Sequence, residues 1–300
     1  MKIFMTGGTG FVGTNLSRRL LQLGHEVTVV GSSGKAHLEK TSTLHILKAD
    51  TAVPGKWQEN LASFDVIINL TGRTIFNYWT ESYKEKMYAS RVETTRNIVN
   101  ALPDSAGTVL LSASAAGYYG DKGETAVDES GEAGSDFLAD VCKSWEREAM
   151  HAVKKGVRVA TMRFGVVLGK GGGAIETMKT PFKLGLGGAI GDGRQWFPWI
   201  HVDDLVAAVL FLMDGSGLEG PFNFTAPESV RQQEFAKKLA SFLHRPAIIP
   251  APSFLVKTVA GEFGRSLLQG QKVVPKALLD HGFVFRYPTL DEALREILND

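Results

Sequence analysis

Three glycines at three-residue spacing, Gly7, Gly10 and Gly13, carry the plainest chemical signal in the chain. They lie in Thr6-Gly7-Gly8-Thr9-Gly10-Phe11-Val12-Gly13. A turn of this kind can hold a pyrophosphate. Gly7 permits the tight bend, Gly10 removes a side chain where backbone approaches the phosphates, and Gly13 lets a following helix sit close. The free N–H groups of that helix, and the positive end of its dipole, face the anion. Thr6, Phe11 and Val12 complete the cradle.

Such a turn works only between a strand and a helix. Lys2-Ile3-Phe4-Met5 predicts the strand, Thr14 to Leu23 the helix, and Glu26 to Val30 a second strand. Further strands are expected at His45–Lys48, Val66–Leu70, Thr108–Ser112 and Arg158–Met162, with helices near 82–101 and 136–154. This alternation predicts an α/β fold, a Rossmann-type doubly wound parallel sheet with its nucleotide site at the carboxyl ends of the strands.

After Arg163 the composition changes. Gly169 to Gly193 is glycine-rich, and Trp196-Phe197-Pro198-Trp199 follows. The pair reads as loops forming a partly mobile cover over a substrate cleft. Helices are expected near 203–213 and 231–243, with a short strand at 222–225 between them. The amphipathic stretch Ser253 to Leu268, with Phe254, Leu255, Val259, Phe263 and Leu267, predicts a core-facing helix. The expected division is a nucleotide-binding domain over 1–225, with substrate loops from about 169, and a smaller, mostly helical C-terminal region over 248–298.

The residues after the second strand choose the cofactor. An acidic side chain there would bind the ribose hydroxyls of NAD and repel a 2′-phosphate. The chain has Val30-Gly31-Ser32-Ser33-Gly34-Lys35 instead. The hydroxyls of Ser32 and Ser33 and the cation of Lys35 suit a phosphate, so NADP(H) is the expected cofactor.

With this turn and its spacing, the chain resembles the extended, epimerase-like branch of the short-chain dehydrogenase/reductase superfamily. Gly270-Gln271-Lys272-Val273-Val274-Pro275, Gly282 to Pro288 and Leu290 to Leu298 resemble the small C-terminal domain of unknown function in an atypical subgroup of that branch. The resemblance covers essentially the whole chain. It implies that Asp50 lies against the adenine, that Asn69-Leu70-Thr71-Gly72 lets the ribose approach, and that Arg91 and Phe164 border the cofactor. It also implies a Ser-Tyr-Lys set for interconverting an alcohol and a carbonyl, with the tyrosine four residues before the lysine. Ser114 matches the serine and Lys143 the lysine, which would also bind the nicotinamide ribose. The position four before Lys143 is Ala139, without a titratable group. Tyr118 and Tyr119, following Ser114, are the candidate replacements, with packing as the alternative. Arg91, Gln195 and Trp199 are candidate pocket residues.

Net charge is +1 and 44% of residues are hydrophobic, without long runs of like charge, so neither nucleic acid nor a membrane is an expected partner. A single cysteine, Cys142, excludes an internal disulfide and fits a reducing compartment. With no signal peptide before the first strand, a cytoplasmic protein is expected. The seven histidines show no metal-binding spacing. The expected partners are a small-molecule substrate and, through paired helices, a second copy in a homodimer. The readings left open are an NADP(H)-dependent oxidoreductase or epimerase acting on a small molecule such as a nucleotide sugar or carbonyl compound, and a non-catalytic NADPH-binding redox sensor or interaction protein.

Overall fold

Apolar runs of the first half become strands, and the amphipathic runs between them become helices. In chain order these are β1 (Lys2–Thr6), α1 (Phe11–Gln22), β2 (Glu26–Gly31), β3 (Leu44–Lys48), β4 (Val66–Asn69), α2 (Glu81–Ala101), β5 (Val109–Ala115), β6 (Ala126–Val127), α3 (Phe137–Met150) and β7 (Arg158–Phe164). The second half adds β8 (Val166–Gly169), α4 (Gly173–Lys183), β9 (Trp196–Phe197), β10 (Trp199–His201), α5 (Val202–Asp214), β11 (Gly220–Phe224), β12 (Val230–Arg231), α6 (Gln232–Phe242), α7 (Ser253–Ser266), β13 (Lys272–Val273), α8 (Lys276–Asp280) and α9 (Leu290–Leu298). The computed structural model describes every residue except 33–37, 39–40, 105–106, 186, 248–249 and 300.

Seven strands form one parallel sheet in the order β11-β7-β5-β4-β1-β2-β3. The order reverses between β1 and β4, and this switch point is where such sheets open a crevice at their carboxyl ends. Both faces are buried. Ile3, Met5, Val27 and Val29 face Leu16 and Leu20 of α1 and Leu205 and Val209 of α5. Phe4, Val30, Ile67 and Leu110 face Ile98 and Val99 of α2 and Ala149 of α3. That is why these strands read as continuous apolar runs.

A second core joins Ile175 and Phe182 of α4, Trp199, Phe235 and Leu239 of α6, and Leu290, Leu294 and Ile297 of α9. The C-terminal residues serve both cores, since Leu278 and Phe283 pack on the sheet cluster. Buried Asp204, near the start of α5, accepts N–H bonds from Arg286 at 2.7 Å and Tyr287 at 2.9 Å. β13 pairs with β6 and ties the tail down a second time.

Two expectations need correction. The segment 169–193 is not loop throughout, because α4 occupies its first half. Its glycines make room for neighbours: a Cβ on Gly172 would lie 2.2 Å from the ring of Phe11. Helix α7 does not face the core. Gly261, at φ 60°, breaks its regularity, so the apolar residues do not share one face. Phe263 turns to Phe76 and Trp79, while Phe254 and Val259 stay 73% and 69% exposed.

Candidate functional site

The site begins where β1 ends. Gly7 sits at φ 71° and donates its N–H to Val30 O at 2.9 Å, and a Cβ there would lie 2.7 Å from the carbonyl of Leu70. Only glycine meets both demands. Gly13 is needed for a neighbour other than the sheet: its Cβ would lie 2.5 Å from Gly7 O and Gly8 Cα, so α1 springs directly off the turn. Gly10 is the N-cap of α1, and a Cβ on it would meet only Gly7 O, at 3.4 Å. The space beyond it is open for a ligand.

The helix starts explain why that space suits an anion. Thr80, Asp136 and Thr289 cap α2, α3 and α9 with their side chains. Helix α1 has no side-chain cap and no acidic residue in its first turn. Its leading N–H groups and dipole are left for something outside the helix. Thr6 is buried and hydrogen-bonds Asn69 at 2.7 Å, so it braces β1 against β4. Val12 packs on the sheet core, and Phe11 lies under Gly169, Gly172 and Gly173. Thr71 lies against Gly7 through its backbone N, and its buried hydroxyl has no partner among the described residues. The open space at Gly10, the uncapped helix and this orphaned hydroxyl fit a pyrophosphate and ribose.

At the adenosine end, Ser32 is exposed just past β2, while Ser33 and Lys35 lie outside the described residues. The β2–β3 register pairs Gly31 with Lys48, a cation that the sequence reading missed. Asp50 is exposed and accepts the N–H of Ala52 at 3.1 Å. Together with Lys48, Lys56 and Trp57 it lines an open cleft of about 550 Å³.

At the other end of the crevice, β5 runs past Ser112 to Ala115, and its register sets Ser114 opposite Arg163 of β7. Buried Ser114 donates to Glu146 Oε1 at 2.7 Å. Arg163 grips Glu146 through Nε and Nη2, both at 2.8 Å. Burial opposes the charge of Arg163, but the bond and charge of Glu146 overcome it and raise its pKa. Arg163 Nη1 also donates to the hydroxyl of Tyr119 at 2.8 Å, and Tyr119 donates to Asn223 Oδ1 at 2.7 Å. Tyr119 is fully buried, and burial pushes its phenol up to about 12. The structure therefore gives Tyr119 the packing role, since its hydroxyl is committed on both sides. Tyr118 is half-buried with the Arg163 guanidinium 3.6 Å from its ring centre, and its hydroxyl has no hydrogen bond among the described residues.

Helix α3 corrects the reading of Lys143. Ala139, Val141, Cys142, Trp145, Glu148 and Ala149 are buried, whereas Lys143 faces out and pairs with Asp140 at 2.6 Å. Cys142 takes the place beside Ser114, and burial pushes its thiol up to about 12, so it stays protonated and inert. One turn earlier, Leu138 lies next to Gly117. The i, i+4 pair beside the Ser114 segment is thus Leu138 and Cys142, neither of them an acid or base at neutral pH. Helix periodicity would have found Cys142 and Glu146, but matching by residue type selected the lysine.

The two pocket candidates in the second half are structural. Gln195 spends its amide N–H groups on Ile190 O and Leu267 O, both at 3.0 Å. Trp199 is fully buried in the second core and donates to Glu228 O at 3.2 Å. Phe164 is half-buried at the end of β7, its ring 5.4 Å from that of Phe224. Arg91, on α2, reaches the end of β4 at Gly72, where a Cβ would lie 3.0 Å from its guanidinium carbon.

A parallel sheet whose switch point holds an uncapped helix on a glycine turn defines a dinucleotide-binding α/β protein. The chain belongs to the NAD dependent epimerase/dehydratase family, whose profile matches residues 3–223; a domain of unknown function, DUF1731, matches residues 251–297. Epimerase family protein YfhF of Bacillus subtilis is 36% identical, covering 100% of this chain and 99% of its own. The chloroplastic SDR39U1 homolog of Arabidopsis thaliana is 37% identical, covering 99% and 87%. The crystal structure of human epimerase family protein SDR39U1 with NADPH superposes with a TM-score of 0.86 at 34% identity, covering all of both chains. Among the described residues no helix is long and apolar enough to cross a membrane.

Proposed function

We propose that the protein binds NADP(H) across the carboxyl ends of β2, β1, β4 and β5 and works as an epimerase-like oxidoreductase on a small molecule bearing an alcohol or carbonyl. The uncapped start of α1 on the Gly7–Gly10 turn carries this reading. Three things favour NADP(H) over NAD(H). Neither Gly31 nor Ser32 brings a carboxylate to the end of β2. Lys48 stands beside Gly31 in register. The human relative was solved with NADPH.

The cofactor, when bound, gives or takes a hydride. Everything else falls to the side chains of the chain itself. Ser114 gives its proton to the hydrogen bond with Glu146, so the lone pairs of Oγ are left to receive and orient a substrate hydroxyl. The Arg163–Glu146 pair fixes that orientation from behind. Tyr118, just past the end of the Ser114 strand with its hydroxyl unbonded among the described residues, is the phenol assigned to exchange a proton. Loss of a positioned acid typically lowers a rate by about 10²–10⁴-fold.

The test is a screen of aldehydes, ketones and nucleotide sugars for oxidation of NADPH, followed by Tyr118→Phe with any compound turned over. Full turnover by that variant removes Tyr118 from the chemistry. Tight NADPH binding with no compound turned over would establish the second reading, a nucleotide-responsive binding protein. The observation favouring that reading is the Leu138–Cys142 pair beside Ser114.

A further inference from the structure

Among the described residues, Arg91 is a cation with no counterion. Its guanidinium donates to Met87 O at 3.1 Å and to Arg73 O at 2.9 Å, and sits 5.4 Å from the ring centre of Trp145. No carboxylate pairs with it among the described residues. Burial of the charged end pulls its pKa down, and the groups that oppose this are Cys142 and Tyr83. The buried guanidinium of Arg163, by contrast, is answered by Glu146 in two bonds. A desolvated charge left unanswered is costly, and proteins keep one where a ligand completes the pair.

The surroundings point the same way. The guanidinium lies against Gly72, two residues past Leu70, which abuts the glycine turn through Gly7. Trp145, 4% exposed beneath the guanidinium, has an indole N–H without a partner among the described residues. A cation and an N–H donor are therefore unmatched together beside the end of β4, among the described residues.

We propose that Arg91 is the counterion for a negatively charged group, a carboxylate or a phosphate, on the small-molecule ligand that lies beside the cofactor, so that the substrate is an anion. This rests on the reading of the crevice as a cofactor and substrate site. Its two carbonyl bonds use one N–H on each Nη, which leaves Nε–H and one N–H on each Nη to meet an anion.

The protein saturated with NADPH is titrated calorimetrically with oxalate and with inorganic phosphate, as wild type, Arg91→Gln and Arg91→Lys. At least one anion is expected to bind the wild-type complex. Arg91→Gln should weaken it by about thirtyfold or more, the loss expected when a buried charge pair is broken. Arg91→Lys should recover part of the affinity, and NADPH affinity should change by less than about threefold, since the lost contact is outside the cofactor. The proposal is overturned if neither anion binds the wild-type complex, or if the anion binds Arg91→Gln equally well. It is also overturned if Arg91→Gln loses NADPH affinity in parallel and the anion displaces NADPH, because Arg91 then serves the cofactor. If wild type fails to bind NADPH at all, the cofactor reading fails first, and the two failures are told apart.

Discussion

The two ends of the crevice are built on opposite principles. At the glycine turn, polar groups are left unfinished: α1 has no side-chain cap, Gly10 faces open space and the hydroxyl of Thr71 has no partner among the described residues. At the Ser114 end, polar groups are finished within the fold. Ser114, Glu146, Arg163, Tyr119 and Asn223 form one hydrogen-bonded chain. An unfinished end needs a ligand to complete it, and a finished end holds its own shape. The contrast teaches that binding is the well-developed function of this crevice. The phenol of Tyr118 lies outside that hydrogen-bonded chain among the described residues.

Breaking the finished end should have the largest effect. Arg163→Met strands the Glu146 carboxylate, and removing one partner of a buried ion pair costs about 3–5 kcal/mol. Urea denaturation should report that loss, and a change below about 1 kcal/mol would mean that the pair is solvated rather than buried. Breaking the unfinished end should act on binding alone. Gly10→Val puts a side chain where phosphate must approach and should weaken NADPH by about 30–150-fold, the worth of one or two charge-assisted bonds. Its thermal stability should stay near that of wild type, because nothing but Gly7 O lies near the new Cβ.

How much of this was legible beforehand depended on what each residue touches. The β1–turn–α1 unit could be read because its constraints are local: a tight bend, a close approach and a helix start fall within eight residues. The sheet could be read because strands buried on both faces advertise themselves. Lys143 was misplaced because a helix decides inward and outward by phase, and its neighbour Cys142 holds the inward phase. Gln195 and Trp199 carried the right chemistry for a pocket, but whether a side chain faces a cleft or a core depends on contacts with residues such as Leu267 and Glu228, far away in sequence. The Ser114–Glu146–Arg163 chain was hidden for the same reason, since it joins β5, α3 and β7.

Smaller effects sharpen the comparison. Tyr119→Phe leaves Asn223 and Arg163 each short of a partner and should cost about 1–3 kcal/mol without changing NADPH affinity. The same residue gives a pH signature. Its phenol is raised in the fold from about 10 to about 12, so its contribution is fully present below pH 10. Above that, the unfolded chain releases a proton that the folded one keeps, and stability falls as pH rises towards 12. Tyr119→Phe should lack that share of the alkaline fall in a stability–pH profile, and an identical slope in both proteins would show that the phenol is not held neutral. Smallest of all, Lys143→Gln removes an exposed pair with Asp140 and should change stability by less than about 0.5 kcal/mol. A large loss of NADPH affinity in that variant would return Lys143 to the cofactor.

The most direct test of the central claim is calorimetric binding of NADPH and NADH to wild type and to Gly10→Val. The account predicts that NADPH binds wild type more tightly than NADH, and that Gly10→Val weakens both. Equal affinities for the two cofactors, or a Gly10→Val protein that binds NADPH as wild type does, would contradict it.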